Sequence, residues 1–180
     1  MEKRLFIGIA IPKVIQTSII ELPKRYREWQ DIKWTRPENL HITLCYIGEV
    51  PEEMLVNIRS SIQLICKDYQ PFKLSFNRLS LAPNNRDARM IWAKYQSNEI
   101  FAQLSLQFYR FFDQMQLRQN FHSHPIPHIT LARFKSGTTV PIKGEVNDKA
   151  IQVSRIVLWE SILLESGQRV YEVLDYFYLG

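Results

Sequence analysis

The tetrapeptide His-Ile-Thr-Leu occurs twice, at residues 41–44 and 128–131, in a chain of 180 residues with only four histidines. Agreement of three further residues by chance, over all histidine pairs, is on the order of one in a thousand, so the repetition points to two related halves. Both copies sit in β-rich surroundings, LHITLCYIG and PHITLARF. Side chains alternate between the faces of a strand. His41 and Thr43 therefore oppose Leu40, Ile42 and Leu44, and His128 and Thr130 oppose Ile129 and Leu131. The apolar side is buried, and the His-Thr side faces solvent or a cleft. If both strands face one cleft, it holds two imidazoles and two hydroxyls.

The rest of the chain supports a two-part layout. RLFIGIAI reads as a first strand. Pro12 can open a helix at its first position, with Ile15, Ile19 and Leu22 as the apolar stripe. After the first HITL strand, Pro51, Glu52 and Glu53 start a second helix with Leu55, Ile58, Ile62 and Ile65 on one face. Phe72, Leu74 and Phe76 alternate with polar residues, and PNNRD then turns the chain into RMIWAKY, a hairpin. Ser97 is the expected cap of a long helix whose stripe runs through Phe101, Leu104, Phe108, Phe111 and Met115. IQVSRIVLW and RVYEVLDYF close the chain as strands. This order lacks a steady strand-helix-strand rhythm and predicts an α+β fold: two lobes of antiparallel sheet with outer helices, packed as one unit over residues 1–180.

With 46% hydrophobic and 23% charged residues, the chain has the composition of a compact domain that needs no staples. Cys45 and Cys66 cannot form a disulfide framework, which favours a reducing, cytoplasmic setting. LFIGIAI ends at Pro12 and Lys13 after seven residues, too early for a leader, and no apolar run approaches the length of a membrane span. Charge is uneven: residues 1–144 carry 20 Lys/Arg against 12 Asp/Glu, and residues 145–180 carry 3 against 6. Both HITL copies lie in the basic part, to which a polyanion such as RNA would be drawn.

Paired HxT strands suit phosphodiester hydrolysis. In-line attack of water needs a base for its proton and an acid for the departing alkoxide, and histidine serves both near neutrality. The threonine hydroxyls can bond the non-bridging oxygens, where charge develops. No cofactor is implied.

On these residues the chain resembles the two-histidine phosphoesterases, in particular the RNA 2',3'-cyclic phosphodiesterases once called 2'-5' RNA ligases. RLFIGIAIP is similar to the opening strand of that family, WTRPENLHITLCYIGEV to its first HxT segment, PHITLAR to its second, and the closing pattern from Ser161 through Gly167 to Tyr171 and Leu179 is similar as well. The resemblance implies a bilobal fold around a central cleft. It also implies opening of a 2',3'-cyclic phosphate at an RNA or nucleotide end to a 2'-phosphate, with 2'-5' ligation as the reverse reaction. His41 is implied as proton donor, His128 as proton acceptor, and Thr43, Thr130 and Arg133 as phosphate contacts. The sequence itself shows no need for an obligate protein partner, and a monomer is expected. Strict alternation, however, would put Arg133 on the face of Ile129 and Leu131. Cys45-Tyr46 and HSHPIP depart from the usual family pattern. Phe6, Trp34 and Tyr46 are candidates for stacking a base, and Arg36 a candidate phosphate contact.

Two other classes fit parts of the sequence. His122, His124 and His128 form H-x-H-x3-H, the spacing of a metal-dependent hydrolase, although Pro125 and Pro127 disrupt a common face and His41 is left unused. A non-catalytic module that holds RNA ends would use the same basic cleft.

Overall fold

The computed structural model describes residues 2–29, 31–117, 125–135, 137–138, 140–142 and 150–180. Strand β1 (Glu2–Ala10) leads into helix α1 (Lys13–Ile20), a short β2 (Lys33–Trp34), β3 (His41–Pro51) and helix α2 (Leu55–Lys67). Then come β4 (Phe72–Leu74), β5 (Phe76–Ala82), β6 (Met90–Tyr95), helix α3 (Glu99–Gln114), β7 (His128–Arg133), β8 (Ile151–Val153), β9 (Arg155–Leu163) and β10 (Arg169–Tyr178). The fold is α+β with antiparallel sheets, as expected. One sheet runs β10-β9-β1-β3-β7-β6-β5, with β2 also paired to β7, and β4 pairs with β8 in a second, small sheet.

The two HITL strands are neighbours at the centre of the large sheet. They are bridged antiparallel at Ile42 and Ile129, the middle residues of the two H-I-T triplets. A local twofold through that bridge exchanges the triplets. The same relation extends outward: β1 pairs with β3 (Gly8 opposite Thr43, Ala10 opposite His41) as β6 pairs with β7 (Trp92 opposite Thr130, Lys94 opposite His128).

The duplication includes an irregularity that alternation alone does not anticipate. Ile7 pairs with Cys45 and Gly8 with Thr43, so Leu44 is skipped; Ile91 pairs with Ala132 and Trp92 with Thr130, so Leu131 is skipped. Each leucine of HITL is thus the extra residue of a β-bulge, which reverses the inside-outside phase beyond it. Leu44 and Cys45 are both buried, as are Leu131 and Ala132. The bulged carbonyls find donors outside the ladder. Ser105 on α3, the one buried polar residue of the described core, donates its hydroxyl to Leu44 O at 2.5 Å, and Thr35 N donates to Leu131 O at 2.8 Å.

Several local expectations shift by a few residues. Pro12 precedes α1 in an extended conformation rather than opening its first turn, while Ile15, Ile19 and Leu22 are buried as expected. Glu52–Met54 form a 3-10 turn ahead of α2, whose buried stripe is Ile58, Ile62, Ile65 and Cys66; Leu55 is only half-buried at the helix start. Asn98, not Ser97, caps α3, its Oδ1 accepting from Phe101 N at 2.9 Å. The α3 stripe follows Phe101, Leu104, Phe108 and Phe112. Four residues from Phe108 stays closer to the 3.6-residue period than three, which leaves Phe111 and Met115 at the margin. The alternating run at Phe72 is split: Phe72–Leu74 pair with β8, and the hairpin is made by β5 and β6. α3 packs against β3 and α2 against β10. Among the described residues, no helix is long and apolar enough to cross a membrane.

Candidate active site

An open cleft of about 640 Å³ lies over the bridge between β3 and β7, and His41, Thr43, His128, Thr130 and Arg133 all line it. The antiparallel register sets His41 toward Thr130 and His128 toward Thr43, with the histidines on a diagonal. Diagonal positions in a regular ladder are about 7–8 Å apart, a span that leaves room for a phosphate between the rings.

Both imidazoles are held the same way. Nδ1 of His41 donates to the Asn39 carbonyl and Nδ1 of His128 to the Ile126 carbonyl, each at 2.7 Å. A carbonyl only accepts, so in the neutral rings the proton is on Nδ1 and the lone pair on Nε2.

Their surroundings differ. His41 is half-buried among Phe6, Tyr171 and Trp159, at ring-centroid distances of 4.9, 5.1 and 5.8 Å. Burial pushes its imidazole down to about 4; the Asn39 carbonyl opposes this, and the charges of His128 and Arg133 act with burial. His41 is therefore neutral at neutral pH. His128 instead lies face to face with Trp92, with centroids 3.7 Å apart and planes 20° apart. Gly8 occupies the position in β1 that Trp92 occupies in β6. A Cβ there would meet Ile42 O at 2.4 Å and the Trp159 ring at 3.1 Å. The first half thus places its tryptophan beside histidine from the next strand, β9, across a glycine.

The bulge at Leu131 decides the orientation of Arg133. Without it the side chain would follow Ile129 and Leu131 inward; with it, Arg133 is exposed and lines the cleft. Tyr46 holds the matching place after the bulge at Leu44 and also lines the cleft, with the Arg4 guanidinium 5.3 Å from its ring centre. Phe6 is in the cleft wall. Trp34 is not: it packs against Tyr26 at 5.2 Å and against the core. Arg36 lies 3.9 Å from Glu38 and is not part of the lining. His122 and His124 fall outside the described residues; among those described, no group of three His, Cys, Asp or Glu side chains is placed to hold a metal ion.

Trp92, Asn39 and Arg169 were not singled out by sequence. Asn39 carries His41 on its carbonyl, donates from Nδ2 to Arg169 O at 3.0 Å, and leaves its buried Oδ1 without a partner. Trp92 was legible as an outward position in the alternating run MIWAKY, but only the pairing of β6 with β7 sets it against His128.

A family model described as LigT like Phosphoesterase matches residues 9–92, a span that includes His41 and Thr43. Full-length relatives extend the likeness through the second motif. The chain is 26% identical to the RNA 2',3'-cyclic phosphodiesterase of Aquifex aeolicus, over 98% of this chain and 97% of that one. On these likenesses the chain resembles the LigT-like phosphoesterases. The protein of the same name from Bacillus subtilis is also 26% identical, over 97% of this chain and 96% of the relative. Among solved structures of this fold, a crystal structure from Thermus thermophilus superposes with a TM-score of 0.83 at 28% identity, covering 98% of this chain and 97% of that one. E. coli LigT superposes at 0.78 and 23% identity, covering 99% and 98%.

Proposed function

We propose that this protein hydrolyses 2',3'-cyclic phosphate ends of RNA to 2'-phosphomonoesters by acid-base catalysis between His41 and His128, without a metal ion, as one catalytic domain and as a monomer. The carrying observation is the symmetric pair of histidines in one cleft, each with Nδ1 tied to a backbone carbonyl. The naming of full-length relatives as RNA 2',3'-cyclic phosphodiesterases supports the same substrate.

In this reading, His128 Nε2 takes a proton from water as the water oxygen bonds to phosphorus. The bond from phosphorus to the 3' oxygen breaks, and His41 Nε2 delivers the proton that this oxygen needs. Thr43, Thr130 and Arg133 hold the non-bridging oxygens while charge builds on them. Because burial keeps His41 neutral near pH 7, its proton enters with the substrate: a phosphodiester anion between the rings stabilises the imidazolium. A 5'-hydroxyl in the place of water gives 2'-5' ligation through the same two transfers.

The test is turnover of a nucleoside 2',3'-cyclic phosphate in EDTA. The expected product is the 2'-phosphate, with His41→Ala and His128→Ala each losing on the order of a hundredfold or more. Activity that vanishes with chelation and returns with zinc would overturn the metal-free reading in favour of a site at His122, His124 and His128. Binding without turnover would overturn catalysis.

A further inference from the structure

The cleft does not end at His128. Strand pairing sets Lys94 opposite His128 and Arg78 opposite Lys94, so the two cations follow the histidine in a row across β7, β6 and β5. At about 5 Å per strand, Arg78 stands roughly 10 Å from the histidine backbone. The Lys94 ammonium lies over the Trp92 indole, 5.7 Å from its centre, and the same indole stacks on His128. Arg78 and Lys94 then open into a groove of about 610 Å³ that also receives Ser80, Asn84 and Asn85, with no carboxylate among its described lining residues. Among the described residues, neither cation forms an ion pair.

Two orphaned polar atoms lie beside this groove, one on Ser80 in its lining and one on Trp92 in the wall of the neighbouring cleft. Among the described residues, Ser80 Oγ and Trp92 Nε1 are buried without a hydrogen-bond partner, and the two residues are paired across β5 and β6. A buried donor or acceptor left unmet is costly, so a pair of them beside a cationic groove points to a polar ligand that completes them.

The internal duplication provides a comparison within one molecule. In the first half, Ala10 faces His41 where Lys94 faces His128, and Val157 pairs with Gly8 where Ser80 pairs with Trp92. Arg155, two residues before Val157 as Arg78 is two before Ser80, lies over the Tyr176 ring at 4.6 Å. The cation next to the histidine and the hydroxyl are thus present on one side only.

We infer that Lys94 and Arg78 form a second phosphate subsite, which holds the RNA backbone on the 5' side of the cyclic end, so that the strand lies over β6 and β5 and not over β1 and β9. Ser80 Oγ and Trp92 Nε1 supply hydrogen bonds to that strand. This inference rests on the proposed RNA-end activity and adds to it a preference for a polymer over a mononucleotide, independent of base sequence because the contacts are to phosphate.

The experiment compares kcat/KM for a nucleoside 2',3'-cyclic phosphate and for a short oligoribonucleotide ending in one, using wild type, Arg78→Gln and Lys94→Gln across a range of salt concentrations. Arg78 is exposed, so its replacement leaves the fold intact. Each variant should lose about tenfold on the oligonucleotide, with little change on the mononucleotide, and the salt slope for the oligonucleotide should fall by about 0.7 per cation removed. Equal losses on both substrates, or an unchanged salt slope, would overturn the subsite. Absence of turnover of either substrate by wild type would overturn the activity instead. Salt-dependent binding of a labelled oligonucleotide to the same variants then decides the subsite by itself.

Discussion

Replacing His41 by glutamine should flatten the acid side of the protein's stability curve. The imidazole is held at about 4 in the folded cleft, against the ordinary histidine value of 6.5. Between these values the unfolded chain binds a proton that the folded chain refuses. The contribution to stability is therefore complete above pH 6.5 and is lost as pH falls toward 4. Integrating that difference from pH 7 to pH 5 gives at most about 2 kcal/mol. Urea unfolding at the two pH values should show wild type losing up to that much more than His41→Gln. Inorganic phosphate should shrink the difference, since an anion beside the ring stabilises its charged form. Calorimetry of phosphate binding near pH 6, in buffers of different ionisation enthalpy, should register proton uptake by wild type and less by the variant. Parallel stability curves for the two proteins, together with equal proton uptake, would refute the placement of a depressed imidazole at His41 and with it the view that the donor's proton arrives with substrate.

Gly8→Ala puts a methyl group 2.4 Å from the Ile42 carbonyl, short of the 3.0 Å that real Cβ contacts keep, so β1 and β3 must part next to the first triplet. Overpacking of this kind costs about 1–3 kcal/mol, measurable by urea unfolding, and the displaced triplet should lower kcat/KM on the order of tenfold or more. If His41 and His128 act in one transition state, a double-mutant cycle of their alanine variants should be strongly non-additive, the pair scarcely worse than either single change; rate losses that simply multiply would place the histidines in separate steps. A cyclic substrate with sulfur at the 3' bridging position leaves as a thiolate that needs little protonation, so His41→Ala should recover much of its rate on it while His128→Ala stays impaired; the reverse pattern would exchange the two roles.

Alternation within HITL was enough to separate His41 and Thr43 from Ile42 and Leu44, because a strand that buries one face leaves the other no choice. Repetition of the tetrapeptide was enough to expect a shared cleft, and the helix stripes were readable to within a turn. The direction of Arg133 was not readable from alternation, although the family resemblance implied its place at the phosphate. Its direction depends on the bulge at Leu131, a mismatch between two paired strands that has no signature within either strand alone. The split of the run at Phe72 had the same origin: β8, far away in sequence, recruits Phe72–Leu74, and local alternation cannot reveal a partner. The two histidines show the limit most clearly. Their tetrapeptides are identical, yet one ring is enclosed by Phe6, Trp159 and Tyr171 from β1, β9 and β10 and the other stacks on Trp92 from β6. Sequence determined that there would be two imidazoles. Only the packing of other strands around them, through desolvation and ring contact, made them chemically different.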